Sequence, residues 1–323
     1  MQLGLRKAAD RRRELHRPMI RAAVRPPARR RPRSATVLGT LAIVASGLLF
    51  VGRSADPALA DPPAEAARTS SLRADGLAAS IALERLHLAL EPAIAAGRDG
   101  TAATVSGDGD PAPAFRSAAD RVDAARGEAG VALVSVGRFS GDAAAEGFTL
   151  PDLAVGPADL GAIVGQLRGA AVPASTFASN RRHAEDTVAE LASALAALER
   201  GDPQAALEAA DRADRELAAV RAWKAELVTL PLWTKTTGEL LVAVRGGSDA
   251  LLSDDATALA AARRQFAAAA VEAHRADVAL GIAMAEGGSA IADPALRGLA
   301  HAIGEVERSA DGVASVLRRV SER

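Results

Sequence analysis

The chain has 323 residues, enough to bury a core, and 49% of them are hydrophobic, yet aromatics make up only 2% and tyrosine is absent. Alanine supplies 80 residues, about one in four, and because alanine is the best helix former and a poor strand former, this composition argues against a β-rich fold and predicts an all-α one. Cysteine is absent, which excludes disulfides, thiolate metal sites and a cysteine nucleophile, while the net charge of −1 conceals a basic N-terminus and an acidic remainder.

Residues 1–33 form a basic arm, expected to be disordered and cytoplasmic: twelve Lys and Arg stand there against Asp10 and Glu14. From Ser34 to Gly52 no residue is charged, and a helix of that length spans about 28 Å, close to the hydrocarbon thickness of a bilayer. Arginines flanking such a run orient it with the N-terminus inside. The arm therefore predicts topology, and no nucleic-acid partner is expected. Two fates remain open for the segment. Its length favours a retained single-pass anchor in the cell membrane, but Pro57 followed by Ala58-Leu59-Ala60 offers the small residues a signal peptidase reads, and cleavage after Ala60 would release a secreted chain. The triplet Arg29-Arg30-Arg31 resembles a twin-arginine signal, except that Pro32 and Arg33 separate it from the apolar run.

Residues 53–68 read as a linker, and 69–323 as an extracytoplasmic bundle of seven or eight antiparallel helices. A first helix over 69–97 carries Leu77, Ile81, Leu83, Leu86, Leu88 and Leu90, with a bend at Pro92. A Gly/Asp loop is predicted over 97–115, then a second helix over 112–137. The segment VALVSV at 131–136 has strand character without an evident partner, and 138–156 has no period and reads as a loop.

The sharpest punctuation is ERGDPQ at 199–204. Gly201 suits the left-handed position after a helix, Asp202 can cap the next one, and Pro203 fits its first turn, which predicts two helices folded back on each other. Their apolar stripes are Phe177, Ala184, Val188, Leu191, Leu195 and Leu198 before the turn, and Leu207, Ala210, Ala213, Leu217 and Val220 after it. The pair GDPQAALEAADRAD (201–214) and GDPAPAFRSAADRVD (109–123) suggests a faint internal duplication. A shorter helix follows over Pro231–Val244, a longer one over Asp254–Glu286. After Asp293-Pro294 the stripe Leu296, Leu299, Ile303, Val306, Ala310, Val313, Leu317 and Val320 is a heptad seam. It is either an internal packing face or, through Leu299, Ile303, Val306, Val313 and Leu317, a surface for homo-oligomers.

Motifs that fix chemistry are missing: there is no G-x-S-x-G, P-loop, H-E-x-x-H or S-x-x-K, so no enzyme activity, catalytic residue or cofactor is expected. Each of the four histidines beyond the arm has a carboxylate one helical turn onward: His87 with Glu91, His183 with Asp186, His274 with Asp277, and His301 with Glu305. Glu84 and His87 also form a single E-x-x-H, which helical bundles use in pairs for di-iron sites. Glu84, His87, His274 and Asp277 are therefore the weak metal candidates. His274 shares a helical face with Val271, Val278 and Ile282 and is expected to be at least partly buried. Asp99, Asp108 and Asp110 match no calcium loop. Trp223 and Trp233, with His274, are candidates for lining a pocket. Thirty-six arginines against Lys7, Lys224 and Lys235 read as composition bias, and no arginine is assigned a phosphate. The expectation is a membrane-anchored or secreted helical interaction or scaffold protein of the cell envelope, partnered by the membrane, by an envelope protein or by itself. A ligand-sensing bundle acting through a partner, and a metal-binding bundle, are the alternatives.

Overall fold

A computed structural model describes residues 63–224 and 227–322. The basic arm and the apolar run at 34–52 lie outside the described residues. Among those described, six α-helices and no strands make up the fold: α1 Pro63–Ser106, α2 Ala112–Ala145, α3 Pro157–Glu199, α4 Pro203–Ala222, α5 Leu230–Leu252 and α6 Ala256–Glu322. None of them is long and apolar enough to cross a membrane. The first begins inside the stretch read as a linker, with Pro63 in its first turn, where no backbone donor is needed.

Two of the chain reversals use the same three residues. Gly109 and Gly201 both adopt the left-handed conformation, with φ of 83° and 75°. The following aspartates each accept a backbone N–H at the start of the next helix. Asp202 is the N-cap of α4 and its Oδ1 accepts from the Ala205 N–H at 3.0 Å, while Asp110 stands just before the N-cap Pro111 of α2 and its Oδ1 accepts from the Ala112 N–H at 3.0 Å. Asp293-Pro294 lacks the glycine. Its predecessor is the buried Ala292, no residue there takes positive φ, and α6 runs straight through. This is why the two helices expected after Asp254 are one helix of 67 residues. Pro92, Pro173 and Pro294 all sit inside helices on solvent-exposed faces, where water can take up the backbone carbonyl that each proline leaves unbonded.

The helices enclose two cores in series. The first joins α1, α2, the start of α3 (Leu160 to Ala174) and the end of α6 (Ala292 to Val320), together with Phe148, Leu150, Leu153 and Val155 from the α2–α3 connection. The second joins the end of α3 (Phe177 to Ala194), α4, α5 and the start of α6 (Ala276 to Met284). Ile291 packs against both. Thus α3 runs from the first core into the second, and α6 returns through both. Alanine lines much of each core, which lets the helices approach closely.

Several expected loops are helical. Gly97 and Gly100 lie within α1, buried, because a Cβ at Gly97 would stand 2.6 Å from Leu296 Cδ2 and one at Gly100 would stand 3.1 Å from the Phe115 ring. They are contact points between helices, and the reversal is confined to 107–111. Residues 131–136 belong to α2, not to a strand. They present Ala132 and Val136 to the core and Val131 and Val134 to solvent. The helix continues to Ala145, with Phe139 and Ala143 buried, so only 146–156 is irregular.

The repeated GDP segments occupy equivalent positions. In each, the paired alanines after the turn are buried and the Asp-Arg that follows is exposed: Ala118, Ala119, Asp120 and Arg121 in α2, and Ala209, Ala210, Asp211 and Arg212 in α4. An arginine from the next helix then bridges the two aspartates. Arg168 Nη2 lies 3.2 Å from Asp120 and 3.7 Å from Asp123, and Arg245 Nη2 lies 2.9 Å from Asp211 and 3.1 Å from Asp214. The faint similarity in sequence thus corresponds to a repeated three-helix pattern, α1-α2-α3 and then α3-α4-α5, with α6 as the fourth helix of both bundles.

Candidate functional site

A shallow, open concavity lies where α4 ends beside the middle of α3. Trp223 follows the last turn of α4 in an extended conformation, φ −72° and ψ 121°. Its indole packs edge-on against Phe177, with the ring centroids 5.1 Å apart at an interplanar angle of 83°. Phe177 is held in turn against Gly287 and Gly288 of α6, whose lack of side chains makes room for its ring. Around the half-buried Trp223 an open hollow of about 510 Å³ is lined by Thr176, Asn180, Ala219, Ala222 and Lys224. Asn180 Nδ2 donates to the Thr176 carbonyl at 2.8 Å, which leaves the amide oxygen for a ligand. The hollow therefore offers an aromatic face, an amide, a hydroxyl and an exposed ammonium.

The other tryptophan does something different. Trp233 is almost completely buried in the second core, and its Nε1 donates to Asp277 Oδ1 at 3.3 Å. His274, expected to be partly buried, is exposed on α6, because the buried stripe there is Ala269, Ala273, Ala276, Leu280 and Met284, while Val271 and Ile282 face solvent. Neither Trp233 nor His274 lines the hollow at Trp223. Thr176, Asn180 and Lys224 carry no periodicity or motif that singles them out in the sequence.

The metal candidates separate as well. Glu84 and His87 are half-buried on α1, in the first bundle, whereas Asp277 is engaged by Trp233 in the second. Among the described residues no three His, Asp or Glu side chains converge on a point that could hold a metal ion. The helical-turn pairing expected of the histidines holds for His301, whose Nε2 lies 3.7 Å from Glu305. His183 instead reaches across to α4, with Nδ1 2.6 Å from Glu216 Oε2.

Charged side chains near the hollow serve the first reversal. Arg182 donates to the carbonyls of Gly107 and Gly109 at 3.0 to 3.3 Å. Asp110 has its carboxyl held below the usual range, first by the Ala112 N–H and next by the Ser175 hydroxyl, with Arg116 and Arg182 adding attraction. Arg181, largely buried, pairs with the half-exposed Glu185 at 2.9 Å, yet partial desolvation pushes the Glu185 carboxyl up more than Arg181 draws it down.

The heptad seam is internal. Leu299, Val306, Val313 and Leu317 are buried in the first core and Ile303 packs on it, so their partners are α1, α2 and α3 of the same chain and the seam offers no free surface to a second copy.

Comparison with known proteins adds no relative. No family model, no curated protein and no solved structure matches the chain.

Proposed function

We propose that the chain is a non-catalytic scaffold of the cell envelope, a helical rod displayed beyond the membrane by its N-terminal apolar segment. The observation that carries this reading is α6, which threads both cores and is 67 residues long. At 1.5 Å per residue it sets a long dimension of about 100 Å. Two bundles in series sharing two continuous helices make a spacer that holds its ends apart. Support for the envelope location is the uncharged run from Ser34 to Gly52 behind a basic arm. The test is fractionation of cells expressing the full chain, with N-terminal sequencing of the product and protease treatment of intact cells. Recovery with the envelope and digestion of the bundle from outside are expected. Recovery from the cytosol with the arm intact and the bundle protected sinks the reading.

A second reading rests on the hollow at Trp223: a sensor for a small ligand with an apolar ring and an anionic group, stacked on the indole and paired with Lys224. Removing the other fluorophore with Trp233→Phe leaves Trp223 as the reporter. Saturable quenching by indole-3-acetate that Lys224→Glu weakens supports it, and a linear, unsaturable response removes it.

A further inference from the structure

The face of α2 that points away from the first core carries an unusual pattern. Reading along its outermost stripe, the residues are Arg116, Asp120, Ala124, Gly127, Val131, Val134, Arg138 and Asp142, and all eight are exposed. They are spaced by 4, 4, 3, 4, 3, 4 and 4 residues, so they follow one line along the helix surface. Between Asp120 and Arg138 that line holds no charge, and Val131 and Val134 are 52% and 63% exposed. Beside them, a Cβ built on Gly127 meets no atom within 4 Å. The face is thus apolar and shallow in its middle and charged at both ends.

The spacing reads the same in both directions, and the charges do not. About a two-fold axis at the level of Ala129, Val131 of one copy stands opposite Gly127 of another, Val134 opposite Ala124, Arg138 opposite Asp120, and Asp142 opposite Arg116. Each valine meets a small residue, and each charge meets its opposite. A parallel pairing would instead set Asp120 against Asp120 and Arg138 against Arg138. The terminal charges are also able to engage a partner. Asp120 and Arg138 have side chains 70% and 68% exposed. Asp120 already receives Arg168 on Oδ1 at 3.2 Å, so a partner's arginine would share that carboxylate through its other oxygen, and the Arg138 contact with Asp75 is 4.0 Å long, at the limit of an ion pair. We infer that α2 is a self-association surface, on which two copies of the chain pair antiparallel through this stripe. Close approach at Gly127 and Ala124 lets the helices interlock in the manner of ridges and grooves, and isologous contact of one patch with itself closes the assembly at two copies. This names a partner for the rod described above without depending on it.

The absence of cysteine makes the register directly testable. Copies of the full chain bearing Ala124→Cys and copies bearing Val134→Cys, one carrying a size tag, are expressed together and oxidised. The inferred register expects a mixed disulfide between the two and no self-disulfide of either, because like positions then lie about 15 Å apart along the axis, beyond disulfide reach. Asp120→Arg or Arg138→Asp in both copies should cut the mixed product at least fivefold, and combining the two substitutions should restore it. Self-disulfides in place of the mixed one would mean a parallel pair and overturn the inference. So would the absence of any disulfide between thiols shown to be reactive, or failure of the double substitution to rescue while helicity is intact. Loss of pairing leaves the envelope location standing, and cytosolic recovery leaves the pairing standing, so the two ideas fail separately.

Discussion

At the scale of single residues, two carboxylates, Asp110 on the first reversal and Glu185 on α3, respond to acid in opposite directions. Asp110 has a folded-state carboxyl below its ordinary 3.8, so its contribution is present at neutral pH and is lost as pH falls through that lowered value. Asp110→Ala should therefore lower Tm at pH 7, and the gap from the wild type should close below about pH 3.8, followed by circular dichroism. The Glu185 carboxyl is held above its ordinary 4.5 by partial desolvation, which outweighs the pull of Arg181 although the side chain is still 54% exposed. Its ionised form costs stability above the folded-state value, and that cost is relieved as pH falls through it. Glu185→Gln should consequently make the acid loss of Tm steeper than in the wild type. An equal slope in both chains would show that Glu185 is solvated. The capping role of Asp202 was legible in Gly-Asp-Pro, but the environment of His274 was not. Val271 and Ile282 look like core and are exposed, while Ala269, Ala273 and Ala276 look neutral and are buried. In an alanine-rich helix the buried face is chosen by how closely helices can approach, which hydrophobicity does not reveal.

At the scale of elements, the same residue type does opposite work depending on its neighbours. Gly312 of α6 faces Pro151, and a Cβ there would come within 2.8 Å of Pro151 Cδ, an atom in a ring that cannot swing aside. Gly165 of α3 is exposed and has nothing within 4 Å. Gly312→Ala should therefore destabilise by about 1–3 kcal/mol through overpacking, and Gly165→Ala should stabilise by about 1 kcal/mol through helix propensity alone. Urea titration of the two variants checks both signs. This ambiguity also explains the misplaced loops. Gly107 and Gly109 take positive φ and turn the chain, whereas Gly97 and Gly100 a few residues earlier are helical packing points, and the sequence cluster blends the two. The seam from Leu299 to Leu317 was fully legible as a stripe, because its leucines and valines are large and regularly spaced. What the stripe packs against was not, since the same heptad serves an intrachain helix and a separate copy equally well.

At the scale of the whole molecule, the question is whether two cores joined by two continuous helices behave as one folding unit. Breaking α3 or α6 at the junction would leave each bundle short of a helix, so loss of the first core should propagate into the second. The junction is packed as well: Phe177 sits against Gly287 and Gly288, and Thr104 and Val105 of α1 reach Gly288 from the first bundle. Both tryptophans lie on the second-core side, Trp233 within that core and Trp223 packed against it, so their fluorescence reports the second bundle while circular dichroism reports both. Leu86 is fully buried in the first core, and Leu86→Ala should cost about 2–5 kcal/mol. Because the helices are shared, the fluorescence midpoint is expected to fall together with the circular dichroism midpoint. A fluorescence midpoint that stays at its wild-type position while part of the helical signal melts earlier would show two independent domains. A rod that melts as one unit transmits a disturbance at either end along its length. One that melts in halves can only hold its ends apart.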